Sequence, residues 1–252
     1  MELLRVERLT KRFGGLTAVD DVSFSVREGE VYTIIGPNGA GKTTIFNLVS
    51  LIYPASGGQI FFQGEDLSAL APDRVAARGI GRTFQNIELF EHATVLQNLL
   101  IGRHAKAQSS LLAELLFLPS VRSREIEHRQ QVEKVIDFLD LQLYRDSMVA
   151  GLPYGVRKVV ELGRALCSQP RLLLLDEPSS GLNVEETDDM AFWIQDIRDL
   201  LGITVLMVEH DMSLVSRVSD RVLAVNYGKV LAEGSPSEVQ SHPDVIAAYL
   251  GD

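Results

Sequence analysis

Nine consecutive residues, Gly36 to Thr44, read GPNGAGKTT, after the apolar run EVYTIIG and before a helical run. The pattern is that of a glycine-rich loop closed by Lys-Ser/Thr. Backbone amides and a helix N-terminus in that order surround a phosphate, because glycines let the main chain approach it closely. Gly36, Pro37, Asn38, Gly39, Ala40, Gly41, Lys42, Thr43 and Thr44 are therefore the expected nucleotide-phosphate loop. Within it the Lys42 ammonium would bridge the β- and γ-phosphates, and the Thr43 hydroxyl would hold Mg²⁺.

Carboxylates to complement that loop stand in LLLLDEP, where Asp176 follows four leucines. A carboxylate there emerges at the C-terminal end of a buried strand, the edge at which ligands gather in open α/β sheets. Asp176 would reach Mg²⁺ through water, and Glu177 would polarise the attacking water as general base. His210 closes a second apolar run, VLMVEH. Its strand is expected beside that of Asp176, so the imidazole would donate to the transferring phosphoryl oxygen and orient Glu177. Gln85, in GRTFQNIELF, offers a neutral carbonyl to Mg²⁺ or to the water, and Phe13, in TKRFGG, offers a flat face to an adenine ring. His92, His104, His128 and His242 sit on polar or helical stretches and receive no role.

The elements that must position these groups alternate between β-rich and helical patterns, which predicts an α/β sandwich. Strands are expected at LLRVERL, VDDVSFSV, EVYTIIG, QIFFQG, RLLLLD, ITVLMVEH, DRVLAVNYG and KVLAEG. Leu172 to Leu175 and Ile203 to Val208 are apolar on both faces, as in central parallel strands covered by helices. Val22, Phe24 and Val26 alternate with Ser23, Ser25 and Arg27, as in an antiparallel strand with one wetter face. From about 86 to 158 the pattern turns helical, in ATVLQNLLIG, SSLLAELLFL and SREIEHRQQVEKVIDFLDLQ, and reads as a helical subdomain inserted in the α/β core.

Composition narrows the partners. The chain has 252 residues, 46% hydrophobic and 23% charged, with a formal net charge of -10. That balance argues against binding nucleic acid through a general basic surface, and it means an anionic ligand must be captured locally. A single cysteine, Cys167, precludes an intrachain disulfide and fits a reducing compartment. The start, MELLRVERLT, lacks an apolar core of signal-peptide length. The apolar patch Leu111 to Leu118, interrupted by Glu114, is too short to span a bilayer.

Phe13, GPNGAGKTT, RTFQN, LPYGVRK, LLLLDEPSSGLN and VEHD, in that order, make the chain resemble the ATP-binding subunit of an ABC transporter. The resemblance covers essentially the whole length. It implies the ABC ATPase fold: one domain with a P-loop NTPase (RecA-like) core, an antiparallel β subdomain and an inserted helical subdomain. FGGLTAVDDVSF, GIGRTFQNIELF, the insert after NLLIGRH and the tail DVIAAYLGD are similar, more narrowly, to the ATPases of branched-chain (hydrophobic) amino acid importers. Importers of urea, amides and other small solutes share much of this pattern.

The resemblance also implies partners. In this family two modules face each other, each ATP lying between one module's phosphate loop and the other's signature, usually Leu-Ser-Gly-Gly-Gln. Here the signature position reads Leu152, Pro153, Tyr154, Gly155, Val156. Pro153 supplies neither hydroxyl nor N–H and Val156 supplies no side-chain amide, so Gly155, the following backbone amides and the Tyr154 hydroxyl are left to make the contact. Asn183 stands where many members carry aspartate, a change expected to bear on communication between the two sites. The implied assembly is a homodimer or a heterodimer with a second ABC ATPase, beneath two membrane permease subunits served indirectly by a solute-binding protein. Its place would be peripheral, on the cytoplasmic face of the membrane. The groove around 86–98 would receive a short permease helix, and Gln85 would report the nucleotide state to the helical subdomain. A soluble ABC ATPase acting on ribosomes or DNA is disfavoured by the absence of fused modules, coiled coils and basic patches. Retention of Glu177 and His210 disfavours a non-hydrolysing regulatory module, and the signature helix disfavours a small-molecule kinase.

Overall fold

In the computed structural model the apolar runs pair into two sheets. The structure describes residues 1–68, 70–71, 74–83, 87–103 and 119–250. The strands are β1 (Glu2–Phe13), β2 (Leu16–Arg27), β3 (Val31–Ile35), β4 (Gly57–Phe62), β5 (Glu65–Asp66), β6 (Ile80–Arg82), β7 (Leu172–Asp176), β8 (Thr204–Val208), β9 (Arg221–Asn226) and β10 (Lys229–Gly234). The described helices are α1 (Lys42–Val49), α2 (Val95–Gly102), α3 (Pro119–Phe138), α4 (Tyr154–Cys167), α5 (Val184–Asp199), α6 (Met212–Val218), α7 (Pro236–Gln240) and α8 (Pro243–Leu250).

Contacts divide the chain into two compact units, Met1–Gln85 with Arg171–Asp252, and Asn86–Pro170. In the first, a four-stranded antiparallel sheet has the order β2–β1–β4–β5, and a six-stranded sheet has the order β10–β9–β3–β8–β7–β6. All strands of the second sheet run parallel except β10, which turns back on β9. Every residue of β3, β7 and β8 is buried, as a strand covered on both faces requires. In β2, Val22, Phe24 and Val26 are buried while Ser23 and Arg27 are exposed, the period-two pattern of a one-sided strand.

Helix α1 fills the space between the sheets. Its Ile45, Phe46, Leu48 and Val49 join one core with Leu4, Val6, Val22 and Val26 of the antiparallel sheet and Ile34, Leu174 and Leu206 of the parallel one. Beneath the other face of the parallel sheet, Ile35, Val222 and Ala224 pack with Val215 of α6, Val239 of α7 and Val245 of α8.

The sequence pattern does not disclose β6. Three residues around a glycine carry no usable periodicity, and only parallel pairing with β7 makes Ile80–Arg82 a strand.

The second unit contains α2, α3 and α4, each packed on the other two. It runs past 158 to Pro170 and so includes α4, which packs against α2 and α3. Thr94 opens α2 with a reciprocal capping box to Gln97, which satisfies two otherwise orphaned N–H groups. The expected helical run at 109–118, His104 and residue 86 lie outside the described residues, as does Gln85. No helix among the described residues is long and apolar enough to cross a membrane.

Candidate active site

The strand order brings three loops to one edge of the parallel sheet. The loop after β3 is the glycine-rich one, the loop after β8 carries His210, and the loop after β7 carries Glu177. β8 lies between the other two strands, with Asp176 in register with Val208. Parallel strands end on the same side, so residues far apart in sequence meet there without any local motif joining them.

Steric fit explains the glycines of the first loop. A Cβ on Gly36 would stand 2.2 Å from the Val225 carbonyl oxygen, and one on Gly41 would stand 2.6 Å from that of Ala18. Gly41 also takes φ 103°, a left-handed conformation that a side chain would strain, and it opens α1 with no side chain capping the helix. The first amides of α1 thus face the loop without a side-chain acceptor, an arrangement suited to an anion. The Lys42 ammonium donates to the carbonyls of Gly36 at 2.6 Å and Pro37 at 3.0 Å. Burial pulls Lys42 below its usual range, while the carboxylates of Glu177, Asp176 and Glu209 pull it back up.

A cavity of about 510 Å³ opens above this loop. It is lined by Asn38 to Thr44, by Phe13, Leu16, Thr17 and Ala18 at the β1–β2 turn, by Glu177 and by Tyr227. Phe13 is half-exposed, meets Tyr53 edge to face at 5.4 Å between ring centroids, and has the Lys11 ammonium 4.9 Å from its own. Tyr227 has no role that its sequence context suggests. It is 84% exposed and sits in the β9–β10 turn, whose Gly228 N–H donates to the Ala40 carbonyl at 2.8 Å.

Glu177 adopts φ 50°, a left-handed backbone that non-glycine residues take uncommonly and that this chain also uses at turns such as Asp140 and Gln169. Its N–H still donates to Val208 at 3.0 Å, so the turn stays attached to β8. His210 Nδ1 lies 3.8 Å from Glu177 Oε2 and 3.7 Å from Glu209 Oε2. Asp176 is not among the cavity-lining groups. It is 2% exposed, and its Oδ2 accepts from Arg82 Nη2 at 3.0 Å. Arg82 also donates to Ser50 and to the Phe46 carbonyl, tying α1 to β7. Burial lowers the Arg82 pKa, and Asp176 opposes that shift. Arg82 is absent from the sequence-based candidates because β6, which aims it, is itself illegible.

The signature-position residues lie in the other unit. Pro153 is the N-cap of α4, with no side-chain cap, and the helix starts at Tyr154. Pro153 and Tyr154 are exposed, Leu152 and Val156 are half-buried, and Gly155 is buried. Asn183 acts locally, capping α5 in a reciprocal box with Glu186, each bond 3.0 Å. Aspartate would cap the helix as well, so the cap does not account for the departure.

At the C-terminal end, burial raises the Tyr249 hydroxyl pKa, with the Gly36 N–H opposing the shift.

Comparison with known proteins identifies the family. Residues 19–180 match the ABC transporter family, and residues 229–252 match a branched-chain amino acid ATP-binding cassette transporter family. The chain is 41% identical over 250 residues to the high-affinity branched-chain amino acid transport ATP-binding protein BraF of Pseudomonas aeruginosa, covering 99% of this chain and 98% of that protein. It is 39% identical to the LivG protein of Escherichia coli K12, which carries the same description, with the same coverage. A solved ATP-binding cassette of an ABC transporter in its ADP conformation superposes with a TM-score of 0.87 at 34% identity, covering both chains in full. The chain belongs to the ABC transporter family, as one of its ATP-hydrolysing cassettes.

Proposed function

We propose that this cassette energises import of branched-chain or other hydrophobic amino acids. It would act peripherally on the cytoplasmic membrane face, paired with a second cassette and coupled to two permease subunits and, through them, a solute-binding protein. The observation that carries the chemical part is the convergence of the glycine-rich loop, Glu177 and His210 at the ends of β3, β7 and β8. The solute assignment is supported by identity along nearly the whole chain to proteins described as branched-chain amino acid transport ATP-binding proteins.

In this reading the Asn38–Thr44 amides and Lys42 hold the β- and γ-phosphates, and Phe13 receives the adenine. Glu177 accepts a proton from the attacking water, and His210 donates to the phosphoryl oxygen and orients Glu177. The Thr43 hydroxyl in the cavity fits a Mg²⁺ that arrives with the nucleotide; Asp176, outside the cavity lining and bonded to Arg82, would reach the ion through water. Among the described residues no three His, Cys, Asp or Glu side chains form a metal cluster, and Mg²⁺ taken largely through phosphate oxygens needs none. Bound there, the ion would neutralise charge on the phosphates. Gln85 keeps its expected part as a Mg²⁺ or water ligand.

Leu152 to Val156 would meet the ATP held by the partner cassette, as in the pairing that the family resemblance implies. In that reading the exposed Pro153 and Tyr154 and the uncapped α4 amides form the approaching surface. Cleavage of ATP would release the pair, a ligand-driven population shift.

Reconstitution with the cognate permeases and binding protein in vesicles tests the solute: ATP-dependent uptake of leucine is expected. Uptake of urea or amides instead would reassign the cargo, and release of the chain from membranes with no permease attached would end the transport reading. Gly155→Asp tests the pairing. It should bind ATP as a monomer and fail to dimerise by light scattering in a hydrolysis-defective background; normal dimerisation would remove the signature assignment.

A further inference from the structure

Beyond β8 the chain passes through Glu209, His210 and Asp211 before α6 begins. Glu209 is completely buried, at a strand end where every neighbour in β8 is also buried. A buried carboxylate is costly unless its oxygens are satisfied, and an apolar side chain would fill such a position without that cost. Here both oxygens are satisfied by four donors. Oε1 accepts from the Ser179 N–H at 2.8 Å and the Ser179 hydroxyl at 2.6 Å. Oε2 accepts from the N–H groups of His210 at 2.7 Å and Asp211 at 3.1 Å.

These four bonds join the same two loops that meet at the 3.8 Å approach of His210 to Glu177. Ser179 stands two residues beyond Glu177, and His210 directly follows Glu209. The Glu177 N–H bond to Val208 ties the loops at their base, and the Glu209 N–H donates to Ile34 of β3 at 3.3 Å. One side chain thus sets where the His210 backbone stands relative to the Glu177 loop, from a position rooted in the strand that feeds the glycine-rich loop.

We propose that Glu209 is a positioning residue for hydrolysis, holding His210 in register with Glu177 by clamping Ser179 to the His210–Asp211 backbone. The proposal rests on the roles given above to Glu177 and His210. A misplacement of about 1 Å in such an arrangement costs up to about a hundredfold in rate.

The test is a double-substitution cycle on the full chain with Glu209→Gln and His210→Gln, read by steady-state hydrolysis of labelled ATP and by thermal unfolding. The amide nitrogen introduced by Glu209→Gln cannot accept, so two donors lose their partner while the volume is kept. Glu209→Gln alone should lower kcat by about tenfold or more and leave KM for ATP within about twofold. In the His210→Gln background it should cause no further loss. An equal fold-loss in both backgrounds would show that Glu209 acts without His210 and overturn the proposal, as would an unchanged kcat or a raised KM. If His210→Gln itself turns over at the normal rate, the His210 assignment fails rather than the clamp alone. Should the Glu209→Gln chain fail to fold, Ser179→Ala removes one donor and leaves the carboxylate. Its smaller kcat loss should likewise vanish in the His210→Gln background, and persistence there would count against the clamp.

Discussion

His210 Nδ1 stands 3.8 Å from Glu177 Oε2, although 32 residues and a whole helix separate the two in the chain. The pair exists because β7 and β8 are adjacent and parallel, so both loops leave the sheet on the same side. Its Glu177 member lines the cavity above the glycine-rich loop, which makes that carboxylate the group best placed to receive a proton from water there.

Glu177→Gln should keep ATP binding and lose turnover by about a hundredfold or more, since general-base catalysis contributes that much. Phosphate release measured at saturating ATP checks it. Normal release would remove Glu177 from the base role and leave the pair a structural contact.

Lys42→Ala should weaken ATP binding by about tenfold or more, the worth of a charge-assisted contact. Titration with a fluorescent nucleotide reads it directly. The Lys42 bonds to Gly36 and Pro37 also close the loop, so binding of inorganic triphosphate should fall in parallel. Unchanged affinity for either ligand would contradict the phosphate-loop assignment.

Arg82→Met should destabilise the fold by about 3 kcal/mol, because it strips the Asp176 carboxylate of its buried partner. Replacing both, Arg82→Met with Asp176→Leu, should recover most of that loss, since a buried ion pair exchanged for apolar groups is often neutral. Urea unfolding of the two variants separates these effects. A single variant as stable as the parent would show that the ion pair does not hold β6, β7 and α1 together.

Burial pushes the Cys167 thiol from 9.0 up to about 12, with the Arg103 guanidinium acting in the opposite direction. At pH 8 the folded chain should therefore resist iodoacetamide while the urea-unfolded chain is labelled. Between 9.0 and about 12 the folded state keeps a proton that the unfolded state has released, so this group makes stability fall as pH rises through that window. Mass spectrometry after alkylation gives the first reading and melting curves at alkaline pH give the second. Labelling of the folded chain at the unfolded rate would mean that the end of α4 opens readily.

The four donors around Glu209 illustrate what a linear reading misses. VLMVEH discloses an apolar strand ending in a histidine, but nothing in it says that the preceding glutamate turns inward. The signal that exists is a weak one, an acid directly following five buried residues, and it gains meaning only when Ser179 is brought alongside. Arg82 is similar: its partner Asp176 was legible, and the strand that delivers it was not.

The phosphate loop, the two apolar strands that end in LLLLDEP and VLMVEH, the one-sided β2 and the helical stretch after 85 were determined by sequence alone. Each depends on local rules: glycine at a tight turn, period two or 3.6 in apolar residues, and acidic or imidazole groups at strand ends. The tertiary structure alone decided the order β3–β8–β7, the burial of Asp176 against Arg82, the entry of Tyr227 into the cavity wall and the clamp by Glu209. These depend on which strands become neighbours, and parallel pairing between segments distant in the chain leaves no trace in the spacing of either one.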